Sequence, residues 1–316
     1  MKIAVLTSGG DAPGMNACVR AVVRSAINYG FEAYGVFDGY KGLVEGKIKR
    51  MERNDVGQIL NRGGTILGSS RLESFKEEKV RQIAVDNLKA LGIENLVCIG
   101  GDGTFRGAMA LNQMGINCVG IPGTIDNDIA STEFTIGFFT ALDTAIDAID
   151  KLRDTSFSHQ RCTVVEVMGR NCGDLSIFSG IATGAEIVIT KDTGYNEEDI
   201  LKQVQKAQNM GKRHLIVVVA EHITDVKVLA EKIQANSDYE SRATVLGYIQ
   251  RGGTPSAFDR VLASKMGVHA VELLSEGKGG FAVYTKSLDV SHIEIDKALT
   301  QDNKPSDLYK YLAKLN

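Results

Sequence analysis

The stretch LVCIGGDGT, residues 96–104, is an uninterrupted apolar run that breaks into glycines around one carboxylate, Asp102. An apolar run without polar alternation is typical of a strand buried on both faces, as in parallel sheets covered by helices. Similar runs alternate with helical patterns along the chain, so the sequence predicts a doubly wound α/β fold. The predicted strands are 3–6, 96–100, 118–122, 163–167, 187–190, 215–220 and 244–249, and the predicted helices are 16–29, 78–91, 139–153, 197–210 and 257–275.

The composition is that of an ordinary globular protein. Its 316 residues, 43% of them hydrophobic and 24% charged, are enough for two domains or one large domain. The net charge of -3 does not indicate a nucleic acid or an anionic membrane as a partner. Five scattered cysteines without metal-ligand spacing predict free thiols. No segment approaches the ~18 apolar residues of a membrane-spanning helix, so we expect a cytoplasmic protein.

The loop TSGGDAPGMN, residues 7–16, joins the first predicted strand to the first predicted helix. Gly9 and Gly10 would let backbone N–H groups approach an anion closely, and the N-terminus of the helix adds a partial positive charge. The loop is therefore a candidate phosphate site. A plain tight turn between a strand and a helix would explain the same glycine pair equally well.

The loop IGGDGTFRGA, residues 99–108, surrounds Asp102 with Gly100, Gly101 and Gly103. A phosphate chain could lie along that backbone while Asp102 faces Mg²⁺, which prefers hard oxygen ligands and keeps several waters. The loop lacks the GxxxxGK[ST] pattern of a P-loop, and GGDGT also occurs in NAD kinases and lipid kinases. The alternative is that Asp102 only caps a helix.

The stretch IPGTIDNDIA, residues 121–130, holds Asp126 and Asp128 one residue apart, directly after a predicted strand. Phosphoryl transfer needs positioning, charge neutralisation and a base for the attacking hydroxyl. One of the two carboxylates could accept that proton, while its neighbour lies in the field of a bound cation that offsets their repulsion. The alternative is an Asx-turn in which both side chains bind backbone N–H groups.

Seven motifs follow one another in the order TSGGDAPGMN, NRGGTILGSSR, GGDGT, PGTIDND, HQRCTVVEVMGRNCGD, AEH and GYIQRGG. This order resembles that of bacterial ATP-dependent 6-phosphofructokinases, from end to end of the chain. The resemblance implies that MgATP phosphorylates the 1-hydroxyl of fructose 6-phosphate, the committed step of glycolysis. It also implies two Rossmann-like three-layer α/β/α domains with mostly parallel sheets and the active site in the cleft between them. The larger, ATP-binding domain would comprise 1–137 and 250–300, and the smaller, fructose 6-phosphate-binding domain 138–249 and 301–316.

The resemblance assigns roles to the matching positions. Asp126 would accept the proton of the sugar hydroxyl and Thr124 would lie beside the transferred phosphoryl group, with Arg170 and Arg71 completing the catalytic set. Asp128 would be a supporting acidic residue near the metal. The implied nucleotide contacts are Gly10, Arg71, Leu72, Gly101, Asp102, Gly103 and Thr104, with Asp102 at Mg²⁺. The implied substrate contacts are Thr124, Ile125, Asp126, Arg161, Met168, Gly169, Arg170, Glu221, Arg242, Tyr248 and Arg251. Arg161 and Arg242 would reach the substrate of a neighbouring subunit, which implies a homotetramer with shared active sites.

A second theme lies on the first predicted helix. Arg20 and Arg24 are four residues apart, on one helical face, and have no acidic partner at that spacing. Taken alone, they are typical of a solvated surface. The resemblance implies instead that they bind regulatory ADP or phosphoenolpyruvate between subunits. The further effector contacts it implies are Arg53, Arg153, Gly184, Glu186, Lys212, Arg213 and His214.

Three positions depart from the family pattern, in which the residues matching Tyr248, Gln58 and Met210 are often a histidine, an acidic residue and a basic residue. We therefore expect weakened sugar-phosphate contacts and a muted effector response. The nearest rival hypothesis is a pyrophosphate-dependent relative, which tends to carry Asp and Lys where this chain has Gly103 and Gly123. An NAD or lipid kinase and a non-catalytic nucleotide-sensing relative are two more distant hypotheses.

Overall fold

The structure of the chain is a computed structural model that describes residues 1–301 and 306–315. Over these residues the chain forms two compact units. The larger unit comprises Met1–Ile125, Ile129–Thr140 and the stretch from Arg251 to residue 301, and the smaller unit comprises Asp126–Asp128, Ala141–Gln250 and 306–315. The parts of the expected domain range 301–316 that fall on 302–305 and on 316 lie outside the described residues.

Strands and helices alternate along most of the described chain. The strands are β1 (Lys2–Thr7), β2 (Glu32–Val36), β3 (Ile48–Met51), β4 (Asn95–Gly100), β5 (Asn117–Pro122), β6 (Arg161–Val167), β7 (Ile187–Ile189), β8 (Leu215–Ala220), β9 (Glu240–Val245), β10 (Phe281–Lys286) and β11 (Asp289–Glu294). The α-helices are α1 (Met15–Asn28), α2 (Gly39–Val44), α3 (Glu78–Ala90), α4 (Asp102–Gln113), α5 (Phe138–His159), α6 (Asp174–Thr183), α7 (Glu197–Asn209), α8 (Val226–Ala235), α9 (Ala257–Ser275), α10 (Ile295–Thr300) and α11 (Tyr309–Leu315). Short 3₁₀ helices cover Glu73–Lys76 and Gly247–Arg251.

The larger unit is built on a sheet with the strand order β11-β10-β5-β4-β1-β2-β3. Its inner strands pair in parallel, and β3 and β11 close the two edges in antiparallel pairs. Leu96 and Cys98 of β4 pack in one apolar cluster with Leu88 of α3 and Leu111 of α4. Helices α1 and α9 pack against each other and against the sheet outside that cluster. The sheet is therefore buried on both faces, as its continuous apolar runs predict.

The smaller unit has a sheet with the order β7-β8-β6-β9, in which neighbouring strands pair in parallel. All residues of β8 are buried. Val217 and Val219 of this strand pack in an apolar cluster with Ile200 of α7 and Leu229 of α8. Both units therefore confirm the predicted α/β class with mostly parallel sheets.

One of the predicted strands, 244–249, is wrong. Strand β9 begins earlier, at Glu240, and ends at Val245. Gly247 adopts a φ of 56°, in the left-handed region that strands do not use, and the chain continues as a 3₁₀ helix. The remaining six predicted strands and the five predicted helices are confirmed, although α5 continues to His159. Strands β2, β3, β10 and β11 were not predicted. In the two edge strands, β3 and β11, exposed and half-buried residues interrupt the apolar pattern.

Two further expectations concern the cysteines and the membrane. The five cysteines are free, and all but Cys172 are buried. Within the described ranges, no helix combines the length and apolar character needed to cross a bilayer.

Candidate active site

The three loops singled out in the sequence follow three neighbouring strands. Strand β4 lies between β1 and β5, and both pairings are parallel, with Thr7 opposite Ile99 and Gly100 opposite Pro122. The loops after β1, β4 and β5 therefore leave the same edge of the sheet. In doubly wound sheets, ligands bind at the carboxyl ends of such strands.

The glycines of the first two loops have different tasks. A Cβ atom at Gly100 would lie 2.3 Å from both the carbonyl oxygen of Ser8 and Oγ1 of Thr104. Thr104 Oγ1 donates to that same Ser8 oxygen at 3.2 Å, so Gly100 lets the two loops pack together. At Gly101 and Gly103, in contrast, a Cβ atom would meet nothing within 4 Å. These two glycines border open space, where a phosphate chain has room.

Asp102 is the first residue of α4, and Gly101 occupies the capping position. The N–H groups of Thr104 and Phe105 donate to the Gly101 oxygen at 2.9 and 3.1 Å, so the hypothesis that Asp102 caps the helix is wrong. Its side chain is 37% exposed and lies 3.9 Å from Arg106. The N–H groups that precede these bonds at the start of a helix generally lack intrahelical partners, and the helix dipole makes this end positive. Together with the open glycines, this end of α4 suits an anion.

Thr124 is held through its backbone on both sides. Its N–H donates to the Ile136 oxygen at 3.1 Å, and its own oxygen accepts from Thr135 Oγ1 at 2.6 Å. Gly123, just before it, donates to the Gly100 oxygen at 3.0 Å. Thr124 is therefore fixed beside the loop that carries Asp102.

Arg251, expected at the sugar phosphate, packs against Gly10, expected at the nucleotide. A Cβ atom at Gly10 would lie 2.1 Å from Nη1 of Arg251. Nε of Arg251 is buried and has no hydrogen-bond partner among the described residues. Arg71 is exposed and Leu72 half-buried just before the 3₁₀ helix Glu73–Lys76. In the described part of the chain, no hydrogen bond or ion pair fixes the Arg71 guanidinium.

The acidic turn Asp126–Asp128 belongs to the smaller unit. Asp126 is buried, and Asn127 adopts a φ of 51°, a left-handed conformation that Asn tolerates better than most residues. Asn127 donates to Asp174 Oδ2 at 2.7 Å. The side chain of Asp128 is only 7% exposed and lies 3.7 Å from Nη1 of Arg170. The positive charge of Arg170 therefore offsets part of the repulsion between the two neighbouring carboxylates.

The loop after β6 is shaped by two side chains from distant parts of the sequence. Glu221 Oε1 accepts from the N–H groups of Gly169 at 3.2 Å and of Arg170 at 2.7 Å. Gln250 Oε1 accepts from Met168 N at 3.2 Å. Arg170 has a φ of 54°, so the carboxylate of Glu221, which accepts from its N–H, also stabilises an uncommon backbone conformation. One oxygen of Glu221 thus binds protein backbone, although the motifs assign this residue to sugar contacts alone.

Arg161 and Arg242 lie on the paired strands β6 and β9 and share one partner, Glu240. Nε of Arg161 lies 2.7 Å from Glu240 Oε2, and Arg242 forms an ion pair with Oε1 of the same carboxylate. The hydrogen bond from Arg161 is the main reason that the pKa of Glu240 is lowered. Tyr248, expected beside these arginines, is 82% exposed. The arginines are therefore brought together and pre-paired by a carboxylate that the motifs did not indicate.

A phosphofructokinase family model matches residues 2–274 of the chain. The chain belongs to the phosphofructokinase family. It is similar to the ATP-dependent 6-phosphofructokinase of Photobacterium profundum, with 54% identity over 316 residues that cover 99% of each chain. The ATP-dependent 6-phosphofructokinase of Vibrio campbellii is also 54% identical over 316 residues. The resemblance found in the motifs is thus confirmed over the whole length.

Solved phosphofructokinase structures share the fold of this family member. The phosphofructokinase from Saccharomyces cerevisiae matches with a TM-score of 0.89 and 33% identity over 94% of this chain. The chain spans 45% of that yeast chain. A pyrophosphate-dependent phosphofructokinase from Marinobacter aquaeolei has a TM-score of 0.85 at 20% identity, a likeness of fold alone.

The expected effector residues of this phosphofructokinase form a basic group in the smaller unit. Nη1 of Arg153 lies 3.1 Å from Nε2 of His214, while its Nε and Nη2 are buried without a hydrogen-bond partner among the described residues. Lys212 pairs with Glu186 at 3.3 Å, and Arg213 lies over the ring of Phe157. Burial lowers the pKa of His214, and the neighbouring Arg153 lowers it further. Gly184 ends α6 with a φ of 66°.

The effector residues expected in the larger unit lie on and near α1. Arg24 Nη2 lies 3.5 Å from the Arg53 oxygen, at the limit of a hydrogen bond. Burial, and then the charge of Arg24, lower the pKa of Arg20. The structure therefore brings Arg20, Arg24 and Arg53 together within this unit.

Sequence reasoning missed Asn16, which shapes the NRGGT loop. Its Nδ2 donates to the oxygens of Arg62 at 3.0 Å and Gly64 at 2.8 Å, and its Oδ1 accepts from Ile66 N at 2.8 Å. The sequence signal for it is a lone amide among small and apolar residues at the start of the first predicted helix. The structure shows Asn16 fully buried, and a buried polar group needs partners. Gln250 and Asp174 lie within the motifs GYIQRGG and HQRCTVVEVMGRNCGD, which did not assign them a role, and Glu240 lies outside all seven motifs.

Proposed function

We propose that this chain transfers the γ-phosphoryl group of ATP to the 1-hydroxyl of fructose 6-phosphate. The proposal is carried by one observation, the placement of Asp102 with two open glycines beside Thr124 at adjacent strand ends. The chain is 54% identical to ATP-dependent 6-phosphofructokinases, whose names state this substrate class. Phosphoryl transfer depends on positioning and electrostatic stabilisation, and a backbone-lined loop supplies both.

The nucleotide site we propose uses Gly10, Arg71, Leu72 and the loop Gly101–Thr104. Asp102 would hold Mg²⁺, and the donor set fits that ion: a partly exposed carboxylate oxygen bordered by space for waters and phosphates. No group of three or more His, Cys, Asp or Glu residues in the described ranges is placed to hold a metal, so Asp102 would share the ion with the nucleotide. When bound, Mg²⁺ would neutralise charge on the phosphates.

We assign proton removal from the sugar hydroxyl to Asp126, a buried carboxylate two residues after Thr124. Thr124, Ile125 and Arg170 would orient the reacting groups. Arg161, Arg242, Tyr248 and Arg251 would bind the phosphate of the sugar, since arginine forks match phosphate geometry. Met168, Gly169 and Glu221 would contact the sugar itself. Arg161 and Arg242 would serve a neighbouring copy of the chain in a cytoplasmic homotetramer.

The effector site we propose combines the two basic groups, contributed by different copies of the chain. The observation that favours it is Arg153, whose buried Nε and Nη2 have no protein partner in the described residues. Buried N–H groups without an acceptor are costly, and the oxygens of an anion would relieve that cost. ADP and phosphoenolpyruvate both carry the required phosphate.

A coupled assay for fructose 1,6-bisphosphate tests the proposal directly. The chain is incubated with fructose 6-phosphate and Mg²⁺ and with either ATP or pyrophosphate as donor. We expect turnover with ATP, since Gly103 leaves space for a full nucleotide. We expect none with pyrophosphate, since Gly123 stands where a lysine would be needed to hold a small, free diphosphate. Turnover with pyrophosphate instead would establish a pyrophosphate-dependent enzyme. ADP binding without turnover under either condition would establish a nucleotide-sensing protein.

A further inference from the structure

The larger unit contains a buried carboxylate that none of the proposed catalytic steps uses. Asp259, in the first turn of α9, is fully buried. Its Oδ1 accepts from Gly137 N at 2.8 Å, and its Oδ2 accepts from Thr140 N at 2.8 Å and Thr140 Oγ1 at 2.5 Å. Both oxygens of one carboxylate are thus committed to the segment that begins α5.

The same segment continues directly into the residues that hold Thr124. Ile136, the neighbour of Gly137, accepts from Thr124 N at 3.1 Å and donates to the Pro122 oxygen at 3.0 Å. Thr135 Oγ1 donates to the Thr124 oxygen at 2.6 Å. The stretch 135–137 therefore lies between Asp259 on one side and Thr124 on the other, and contacts both through hydrogen bonds.

Two features make this connection stiff. Ser256, the N-cap of α9, donates its N–H to Thr140 Oγ1 at 2.9 Å and accepts from Asp259 N at 3.1 Å, which closes a ring of hydrogen bonds. Gly137 has a φ of 103°, and a Cβ atom there would lie 2.6 Å from Cβ of Ala12. The close packing of Ala12 against Gly137 therefore leaves this backbone little room to move.

We propose that Asp259 is a positioning residue for phosphoryl transfer, which fixes Thr124 through the stretch 135–137. The inference rests on the proposed function. A shift of about 1 Å at a reacting group lowers turnover by roughly 10²-fold. Loosening of this connection should therefore lower kcat much more than it raises KM for either substrate, because the arginines and glycines proposed to bind the phosphates remain in place.

Asp259→Asn is the primary variant. The amide keeps the size of the carboxylate but turns an NH₂ group toward an N–H donor, so one of the hydrogen bonds to 137–140 is lost. We expect kcat to fall about 10- to 100-fold. The decisive comparison is a double-mutant cycle with Thr124→Ala. In that background Asp259→Asn should change kcat by less than about twofold, because the group it positions is already absent.

The matched control is Asn95→Ala. Asn95 is buried, begins β4, and donates to the Lys2 oxygen at 3.2 Å, at the end of the strand opposite to the loops. Asn95→Ala should lower Tm as Asp259→Asn does. It should leave kcat within about twofold, since mutations at distant positions without shared partners are usually independent in their effects. This separates loss of positioning from loss of stability.

If Asp259→Asn does not fold, the variants Thr140→Val and Thr140→Ser test the same hydrogen bond from its other end. Valine removes the hydroxyl that binds Asp259, and serine keeps it, so kcat should fall in the first and recover in the second. An equal fall in kcat with and without Thr124, or an unchanged kcat in Asp259→Asn and in Thr140→Val, would overturn the inference. Absence of turnover in the unmodified chain would refute the proposed function instead, and this is seen before any variant is compared.

Discussion

The two units hold their candidate site residues by different means. In the larger unit, close glycine packing and buried side chains that bind backbone fix the loops, as Gly100 and Asn16 illustrate. The smaller unit also has side chains that bind backbone, such as Glu221, but adds ion pairs between side chains: Asp128 with Arg170, and Glu240 with two arginines. Changes of shape should therefore disturb the first unit most, and changes of charge the second.

The largest effect expected from a change of charge is at Asp126. Asp126→Asn keeps the size of the side chain but cannot accept a proton, so kcat should fall by on the order of 10²–10⁴-fold. KM for fructose 6-phosphate should change far less. Steady-state kinetics with the coupled assay measure both quantities.

The control for this variant is Asp128→Asn. It also removes one negative charge from the turn but leaves the proposed proton acceptor in place, so its effect on kcat should be smaller. If Asp126→Asn keeps a kcat close to that of the unmodified chain, or if Asp128→Asn loses more of its kcat than Asp126→Asn does, another group is the base.

The larger unit should respond to charge only where its backbone faces the nucleotide. At Gly103 a Cβ atom meets open space, so Gly103→Asp and Gly103→Asn should both fold. An acidic residue in the first turn of α4 even favours the helix. The charge of Asp at position 103 should repel the nucleotide and lower kcat/KM for ATP roughly tenfold to a hundredfold. This range corresponds to the ~1.5–3 kcal/mol that a hydrogen bond to a charged group typically contributes.

Asparagine at the same position separates charge from shape. Gly103→Asn should retain most of the activity with ATP, and Gly103→Asp should not. Equal losses in both variants would mean that bulk, not charge, limits the site, and would contradict the idea that the open space beside Gly103 accommodates phosphates.

The effector group of the smaller unit should also respond to charge. Met210 is exposed at the end of α7, where it cannot neutralise a phosphate. We expect ADP and phosphoenolpyruvate to act weakly on the fructose 6-phosphate curve, since a missing charge-assisted contact costs roughly tenfold to a hundredfold in affinity. Met210→Arg should strengthen the response in initial-rate titrations, and Met210→Gln should not. A strong response of the unmodified chain at micromolar effector would show that the remaining basic residues suffice.

Shape should matter most at Gly100. Gly100→Ala places a methyl group 2.3 Å from Ser8 O and Thr104 Oγ1, which must shift. Such overpacking lowers the free energy of unfolding by about 1–3 kcal/mol. Gly101→Ala, next to it, enters open space and should leave that free energy within about 1 kcal/mol. Urea unfolding measures both, and similar losses in the two variants would contradict the distinct tasks assigned to these glycines.

Much of this arrangement was predictable because its signals are local. The buried strands β4, β5 and β8 show as continuous apolar runs, and the loops behind them show as glycines and carboxylates close by in the sequence. The contacts that shape the site are different in kind. Glu221 binds Arg170 across 51 positions, and Gln250 binds Met168 across 82 positions. No pattern within one stretch of sequence encodes such pairings, since they arise only when the strands assemble.

The smallest effect is expected at Glu240, where the pairing is exposed. Glu240→Gln removes the carboxylate that Arg161 and Arg242 share, so both arginines become more accessible to a sugar phosphate. Exposed ion pairs are weak, and KM for fructose 6-phosphate should therefore fall only about two- to fivefold while kcat is unchanged. A rise in KM would mean that Glu240 holds the arginines in their binding geometry rather than competing with substrate.

The pH dependence of stability offers a second comparison between the unmodified chain and Glu240→Gln. Because the hydrogen bond from Arg161 lowers the pKa of Glu240, the pair stabilises the fold fully above the usual carboxyl value of about 4.3. The contribution is lost as the pH falls through the lowered folded-state value. Tm of the unmodified chain and of Glu240→Gln should therefore differ slightly at pH 7 and converge in acid. A difference that grows toward low pH has the opposite sign and would show that the carboxylate, once protonated, still stabilises the two strands by another contact.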